Sequence, residues 1–306
     1  MVKISIIVCT YNRANILEDC LDSLVNQTVS GELFEVIVVN NNSTDNTFDI
    51  AEKYAKRHKN FRIFTETKQG LSVARNRGLK ESKYDWLSFI DDDAMAYPNY
   101  VERIISTIGK YDFDCFGGVY YPWYRDMKRP RWLSEKFGQS MKYKEQVAIL
   151  DNGSIPGSVC VFKKEPLLKI NGFPEDLGMH GGKIGYGEET FVQFQLRERG
   201  YSIGFDPELC ILHLVHPSKM RVNWHIKSAY ASGRDSVKIF RQTKKIGCSE
   251  LVYNSVKLLG KNFYKASRDF IYRNDYYIQN FVLDIASPLA RYFGFYKGNR
   301  KETFSK

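Results

Sequence analysis

Between Ile4 and Ile90, short apolar runs alternate with stretches of helical period, and this alternation limits what the chain can fold into. Residues 4–9, 34–39, 61–65 and 85–90 read as strands, each a brief apolar run closed by polar residues. The segments between them read as helices. Residues 14–27 carry Ile16, Cys20, Leu21, Leu24 and Val25 at helical spacing, residues 46–57 follow Thr44 and Asp45, either of which can cap them, and residues 71–82 follow Gly70. Strands separated by such helices are βαβ units, whose crossovers are right-handed and whose strands lie parallel. The chain is therefore read as α/β, of a nucleotide-binding type.

Further along, 97–109 reads as a helix, 112–121 as a strand, and 122–143 as an irregular loop rich in aromatic and basic residues. A strand over 154–162, a short helix over 166–170 and a glycine-rich connection over 172–187 follow. They lead to a helix over 188–199, stopped by Gly200, and a strand over 203–213. With 43% hydrophobic and 26% charged residues in 306, the composition is globular and allows one large domain or two modest ones. The six cysteines form no C-x-x-C pair, which argues against a zinc site and for a reducing compartment. The apolar start has no small-residue cleavage site and reads as a first strand. No window approaches the ~18 uncharged apolar residues a membrane span needs.

Ligands of open α/β sheets gather outside the carboxyl ends of the strands, and each of the four strand ends here carries polar chemistry. Tyr11 in Thr10-Tyr11-Asn12 can stack on a base; Asn40-Asn41-Asn42 can hydrogen-bond the edge of one. Leu71 to Asn76 opens a helix whose N-terminus favours anions, and Arg75 can contact a diphosphate. The fourth strand runs into Asp91-Asp92-Asp93. Three adjacent like charges repel, and a hard divalent cation shared with a phosphate is the simplest reason for them; a solvated acidic turn with Asp93 as a helix cap is the plainer alternative. Of the three, Asp91 is expected to be mainly structural, Asp92 to touch ribose or water on the metal, and Asp93 to bind the metal directly. Glu188 and Glu189 start a helix. Glu188 reads as a first-turn residue favourable to the helix dipole, and Glu189, approached by Gly178, Gly181, Gly182 and Gly185, as a general base. His213 ends an apolar strand, as a structural residue or a neutral imidazole ligand.

Residues 8–13, 39–47, 70–78, 90–93 and 187–190, in that order, resemble the motifs of the family 2 glycosyltransferases, inverting enzymes of the GT-A fold. The resemblance implies a Rossmann-like, mostly parallel sheet flanked by helices over residues 1–216. It also implies a nucleotide-sugar site of Thr10, Tyr11, Asn12, Arg13, Asn41, Arg75, Asn76, Asp91 and Asp92. In that site Tyr11 and Asn41 would meet a uracil-like base, Asp92 and Asp93 would be the D-x-D-type ribose and metal positions, Glu189 the base, and His213 a residue near metal and diphosphate. Mn²⁺ or Mg²⁺ is the implied cofactor, a UDP-sugar the implied donor, and a glycan or lipid-linked hydroxyl the implied acceptor. The chain departs from the family in having Asn40-Asn41-Asn42 for the common Asp-Asp-Gly and Glu188-Glu189 for the usual Glu-Asp.

Charge is unevenly placed. Residues 218–306 hold 18 Lys and Arg against 6 Asp and Glu, a net of +12 in a chain whose total is +10. Residues 217–306 read as a basic, aromatic, mainly helical C-terminal extension with helices over 224–240, 250–264 and 272–295. Within it Val256, Leu259, Phe263 and Phe270 alternate with Lys257, Lys261, Lys265 and Arg268. The expectation is a cytoplasmic enzyme, peripheral at the anionic inner face of the cell membrane, that contacts its acceptor or the membrane through this region. Two other readings stand beside it. A metal-dependent nucleotidyltransferase would share the sheet and carboxylates but would want a glycine-rich loop after the first strand; a nucleic-acid-binding protein would use the basic extension, which carries no recognised nucleic-acid motif.

Overall fold

The computed structural model describes residues 2–242 and 246–302. These divide into two compact units. One holds the residues up to Trp123 with Gly138–Gly181 and Glu188–Leu214; the other holds Tyr124–Phe137, Gly182–Gly187 and the residues from Val215 on.

The first unit is built on one sheet, nine-stranded among the described residues. β1 (Ile4–Thr10), β2 (Phe34–Asn40), β3 (Phe61–Thr65) and β4 (Trp86–Asp91) lie parallel in the order β3-β2-β1-β4, as the alternation requires. β2 is buried along its whole length and β1 along all but Cys9, because helices cover both faces. The crossovers are α1 (Leu17–Val25), α2 (Thr47–Arg57) and α3 (Leu71–Glu81). α1 turns Leu17, Leu21 and Leu24 into the core, at about 1.5–3 kcal/mol per side chain.

Beyond β4 the sheet becomes mixed. After β5 (Ala94–Ala96) and α4 (Tyr100–Lys110) come β6 (Cys115–Trp123), β7 (Ala148–Ile149), β8 (Cys160–Lys163), α5 (Lys164–Lys169), α6 (Glu188–Glu198) and β9 (Ile203–Leu214). β8 runs antiparallel between β4 and β6, β6 pairs with β9 in parallel, and both β5 and β7 run antiparallel to β9. Two differences from the sequence reading matter. Of the strand expected over 154–162 only Cys160–Lys163 pairs, because a 3-10 turn at Gly157–Val159 precedes it. β5 gave no periodic signal, being three residues long. A Cβ on Gly118 would collide with the Leu209 and Asp206 carbonyls, so glycine permits β6 its irregular register against β9. At the same place the buried carboxylate of Asp206 takes two bonds from Arg103 (both 2.8 Å) and one from Thr107 (2.6 Å), which fastens α4 to β9.

The second unit is helical, with α7 (Val222–Ile239), α8 (Cys248–Tyr272) and α9 (Ile278–Glu302). α7 and α9 approach until backbone meets backbone: a Cβ on Gly233 would strike the Arg291 carbonyl, and one on Gly294 the Tyr230 carbonyl. Asp235 accepts the Tyr186 N–H (3.0 Å) and Arg234 donates to the Ile184 carbonyl (2.9 Å), so segment 182–187 is pinned to α7. Residues 124–137 carry no helix or strand, in line with the loop expected there. Among the described residues no helix is long and apolar enough to cross a membrane.

Candidate active site

The carboxyl ends of β1, β2 and β4 carry the motif residues, and the loops they lead into are stitched together by short polar side chains. Asn12 holds a left-handed backbone (φ 52°), and its Oδ1 accepts the Thr44 N–H at 2.8 Å. Its own N–H donates to Ser43, that of Arg13 to Thr47 (2.8 Å) and that of Ala14 to Asp45 (3.2 Å). Each asparagine of the triplet has a local task. Asn40 Oδ1 accepts the Ser43 N–H, closing a turn, and Asn42 supplies a second left-handed position (φ 59°). Buried Asn41 donates to the Glu66 and Lys68 carbonyls (3.2 and 2.7 Å) and accepts the Gly70 N–H (2.8 Å). The resemblance puts Asn41 at a base, yet its amide is committed to building loop 66–70. Asn76 is occupied in the same way, donating to and accepting from the backbone of Phe173 (2.9 and 2.8 Å). Thr10 is buried at the end of β1, and Tyr11 stands half-buried just after it.

The acidic triplet spans the end of β4 and the turn that leads into β5: Asp91 closes the strand, and Asp92 and Asp93 form the turn. Asp92 is buried and pairs with Arg13 (3.6 Å); burial, then the like charge of Asp93, push its carboxyl up to about 7 against the pull of Arg13. Asp91, expected to be mainly structural, stands with Asp93 and His213, and one donor atom from each of these three lies within 4.8 Å of the others.

His213 arrives through β5. Ala94, directly after the triplet, pairs with His213 across the β5–β9 ladder, and the Leu214 N–H donates to the Asp93 carbonyl (2.8 Å). Imidazole Nδ1 lies 3.2 Å from the Leu214 carbonyl, and Nε2 lies 3.4 Å from a carboxylate oxygen of each of Asp91 and Asp93. Two carboxylates and an imidazole fit Mn²⁺ or Mg²⁺, oxygen-preferring cations that tolerate one nitrogen.

A second acidic pair adjoins the first through one guanidinium. Buried Arg75 on α3 meets Glu188 Oε1 at 2.5 Å and Asp91 Oδ1 at 3.4 Å. Close packing holds it there, since a Cβ on Gly157 would crowd the guanidinium (2.7 Å). Glu188 is thus a buried ion-pair partner, more than the dipole-favouring first-turn residue the sequence suggests. Glu189, next on α6, keeps some exposure while its carboxyl is enclosed. Burial and then the charge of Glu188 push it up to about 8, with Arg75 opposing. One turn later Gln193, fully buried, exchanges both its amide bonds with the Ile155 backbone (2.8 Å each) and sets the position of α6. A glutamine in an apolar helix gave the sequence no functional mark.

Residues 5–169, more than half of the chain, match the model of glycosyl transferase family 2. The chain belongs to this family. Over 106 residues it is 38% identical to EpsH of Bacillus subtilis, a match spanning 35% of this chain but only 30% of EpsH. Two solved structures share its fold, which is α/β of the GT-A type with a helical C-terminal region. One is a mannosyltransferase from Pyrobaculum calidifontis in complex with GDP-Man and Mn²⁺ (TM-score 0.63, 17% identity, 94% of this chain and 85% of that one). The other is S. aureus TarS 1-349 in complex with UDP-GlcNAc (TM-score 0.58, 15% identity, 100% and 93%). The family 2 match covers β1 through α5 and so includes every motif up to Asp93; Glu189 and His213 lie beyond it.

Proposed function

We propose that the chain is an inverting, metal-dependent glycosyltransferase that moves a sugar from a nucleotide-diphosphate sugar to a hydroxyl of a glycan or lipid-linked acceptor. One observation carries this reading: Asp91, Asp93 and His213 converge, and Arg75 joins them to the Glu188-Glu189 pair. Membership of family 2 favours sugar transfer over nucleotidyl transfer. The UDP part of the reading rests on TarS, solved with UDP-GlcNAc, while the Pyrobaculum enzyme, solved with GDP-Man, keeps a guanine base in view.

Asp91, Asp93 and His213 would hold Mn²⁺ or Mg²⁺, and the cation when bound supplies positive charge for the departing diphosphate. Glu189 removes the proton from the acceptor hydroxyl, for which a carboxyl titrating near 8 is a far stronger base than an ordinary one. The hydroxyl oxygen bonds to the anomeric carbon on the face opposite the breaking bond, so configuration inverts. The same reading gives the enzyme an acceptor presented at a membrane, on the cytoplasmic side.

The test is to incubate purified protein with Mn²⁺ and a panel of nucleotide sugars and to measure nucleoside diphosphate release, then the anomer formed. Release from one donor with an inverted product is expected. A retained configuration would overturn the mechanism, and absence of release from every donor and acceptor tried would overturn the activity.

A further inference from the structure

Helix α8 packs on α9 along one narrow side, where Ala266 and Asp269 are buried and Asn254 donates to the Tyr292 hydroxyl (3.0 Å). At 3.6 residues per turn Val252, Val256, Leu259, Phe263 and Phe270 fall on one line that borders this seam at Ala266, over about 27 Å of helix. They are 45–64% exposed, where a water-facing helix would carry polar side chains. Phe263 and Phe270 meet Phe281 of α9 edge-on, and Phe270 also meets Tyr276, so the rings are packed on one side and open on the other. Tyr253, Tyr264 and Ile271 widen the stripe on one flank, with exposed Lys257 at its margin and exposed Lys261 and Lys265 following round the helix. The remaining charges of α8 are Glu250 in the first turn and Arg268, which pairs with Asp269 (2.8 Å).

An apolar patch of this extent marks an interaction site. Its chemistry selects the occupant. Aliphatic and phenyl groups bordered by tyrosines and then by lysines reproduce the layering of a bilayer surface, from acyl chains through the interface to phosphates, and the whole extension carries +12 to attract anionic lipid. We propose that α8 is a membrane-docking helix that lies flat on an anionic phospholipid surface, its Val256–Phe263 stripe in the acyl boundary and its lysines on the phosphates. The docking stands on α8 alone; that it brings the enzyme to a lipid-linked acceptor rests on the proposed function.

Flotation of the full chain with phosphatidylcholine vesicles, with and without phosphatidylglycerol, tests this. Binding is expected only to the anionic vesicles. Lys257→Gln/Lys261→Gln/Lys265→Gln should weaken it about 100-fold, near fivefold per charge, and Val256→Ser/Phe263→Ser at least about tenfold. These side chains are exposed, and an unchanged thermal unfolding profile verifies that the variants fold. Leu259→Trp provides a local readout, with emission shifting to the blue on anionic vesicles. Absence of binding to anionic vesicles, binding indifferent to both sets of substitutions, or a dimer in light scattering that Phe263→Ser dissolves without any effect of vesicles would each overturn the proposal. Sugar transfer to a soluble acceptor without flotation would defeat docking alone, and flotation without nucleoside diphosphate release from any donor would defeat the proposed activity alone.

Discussion

His213 Nε2 lies 3.4 Å from Asp93 Oδ1, although 119 residues separate the two in sequence and no helix or long strand joins them. The three residues of β5 make the connection, by pairing Ala94 with His213. If this group holds the cation, chelation should abolish turnover and Mn²⁺ or Mg²⁺ should restore it. Asp93→Asn should lower kcat by about 10²- to 10³-fold, the several kcal/mol a metal supplies to a developing charge. His213→Ala should raise the Mn²⁺ concentration for half-maximal rate by at least about tenfold. Metal titrations of the rate check all three.

Glu189 sets the expected pH dependence. A base acts when deprotonated, so with a carboxyl pushed up to about 8, kcat/KM should rise about tenfold per pH unit below that value and level off above it. Glu189→Gln should cost about 10²- to 10⁴-fold and remove this limb. Stability runs the other way. The folded state keeps a proton on Glu189 between the ordinary value of 4.5 and about 8, so its contribution to stability is full below 4.5 and is lost as pH rises through about 8. Unfolding midpoints of the wild type and Glu189→Gln across that window should differ in slope.

Arg75 pairs with both Glu188 and Asp91. Arg75→Met leaves Glu188 buried and unpaired, which should destabilise the fold by about 3–5 kcal/mol. The double substitution Arg75→Met/Glu188→Leu should recover most of that. Urea unfolding of the single and double variants measures both numbers.

Asn41→Asp keeps the shape and the acceptor for the Gly70 N–H but removes both donors, leaving the Glu66 and Lys68 carbonyls facing a carboxylate. A loss of about 1–3 kcal/mol is expected. If Asn41 were chiefly a base contact, the same change would leave the unfolding midpoint in place and shift only donor KM, so measuring both separates the roles.

Much of this was written locally. Strand runs such as 34–40, with no polar residue between Glu35 and Asn40, and the crossovers α1 to α3 follow from apolar period and length, and they alone make the sheet parallel from β3 to β4. The acidic triplet, Arg75, Glu189 and His213 could be singled out because charges at the ends of apolar runs are costly without a purpose. Their grouping could not. Which carboxylates of the triplet meet His213 depends on the turn at Asp92-Asp93 after β4 and on a three-residue β5 too short to show a period. That Arg75 serves Glu188 and Asp91, that Asn41 and Asn76 serve the backbone, and that Gln193 seats α6 depend on partners 16 to 113 residues away. The sequence by itself determined the alternating α/β frame, the charged strand ends and the basic extension, because propensity and hydrophobic period act over a few residues. Tertiary structure alone decided which of those charges meet, because burial makes each of them find a partner, and only the folded sheet and its loops bring the partners within reach.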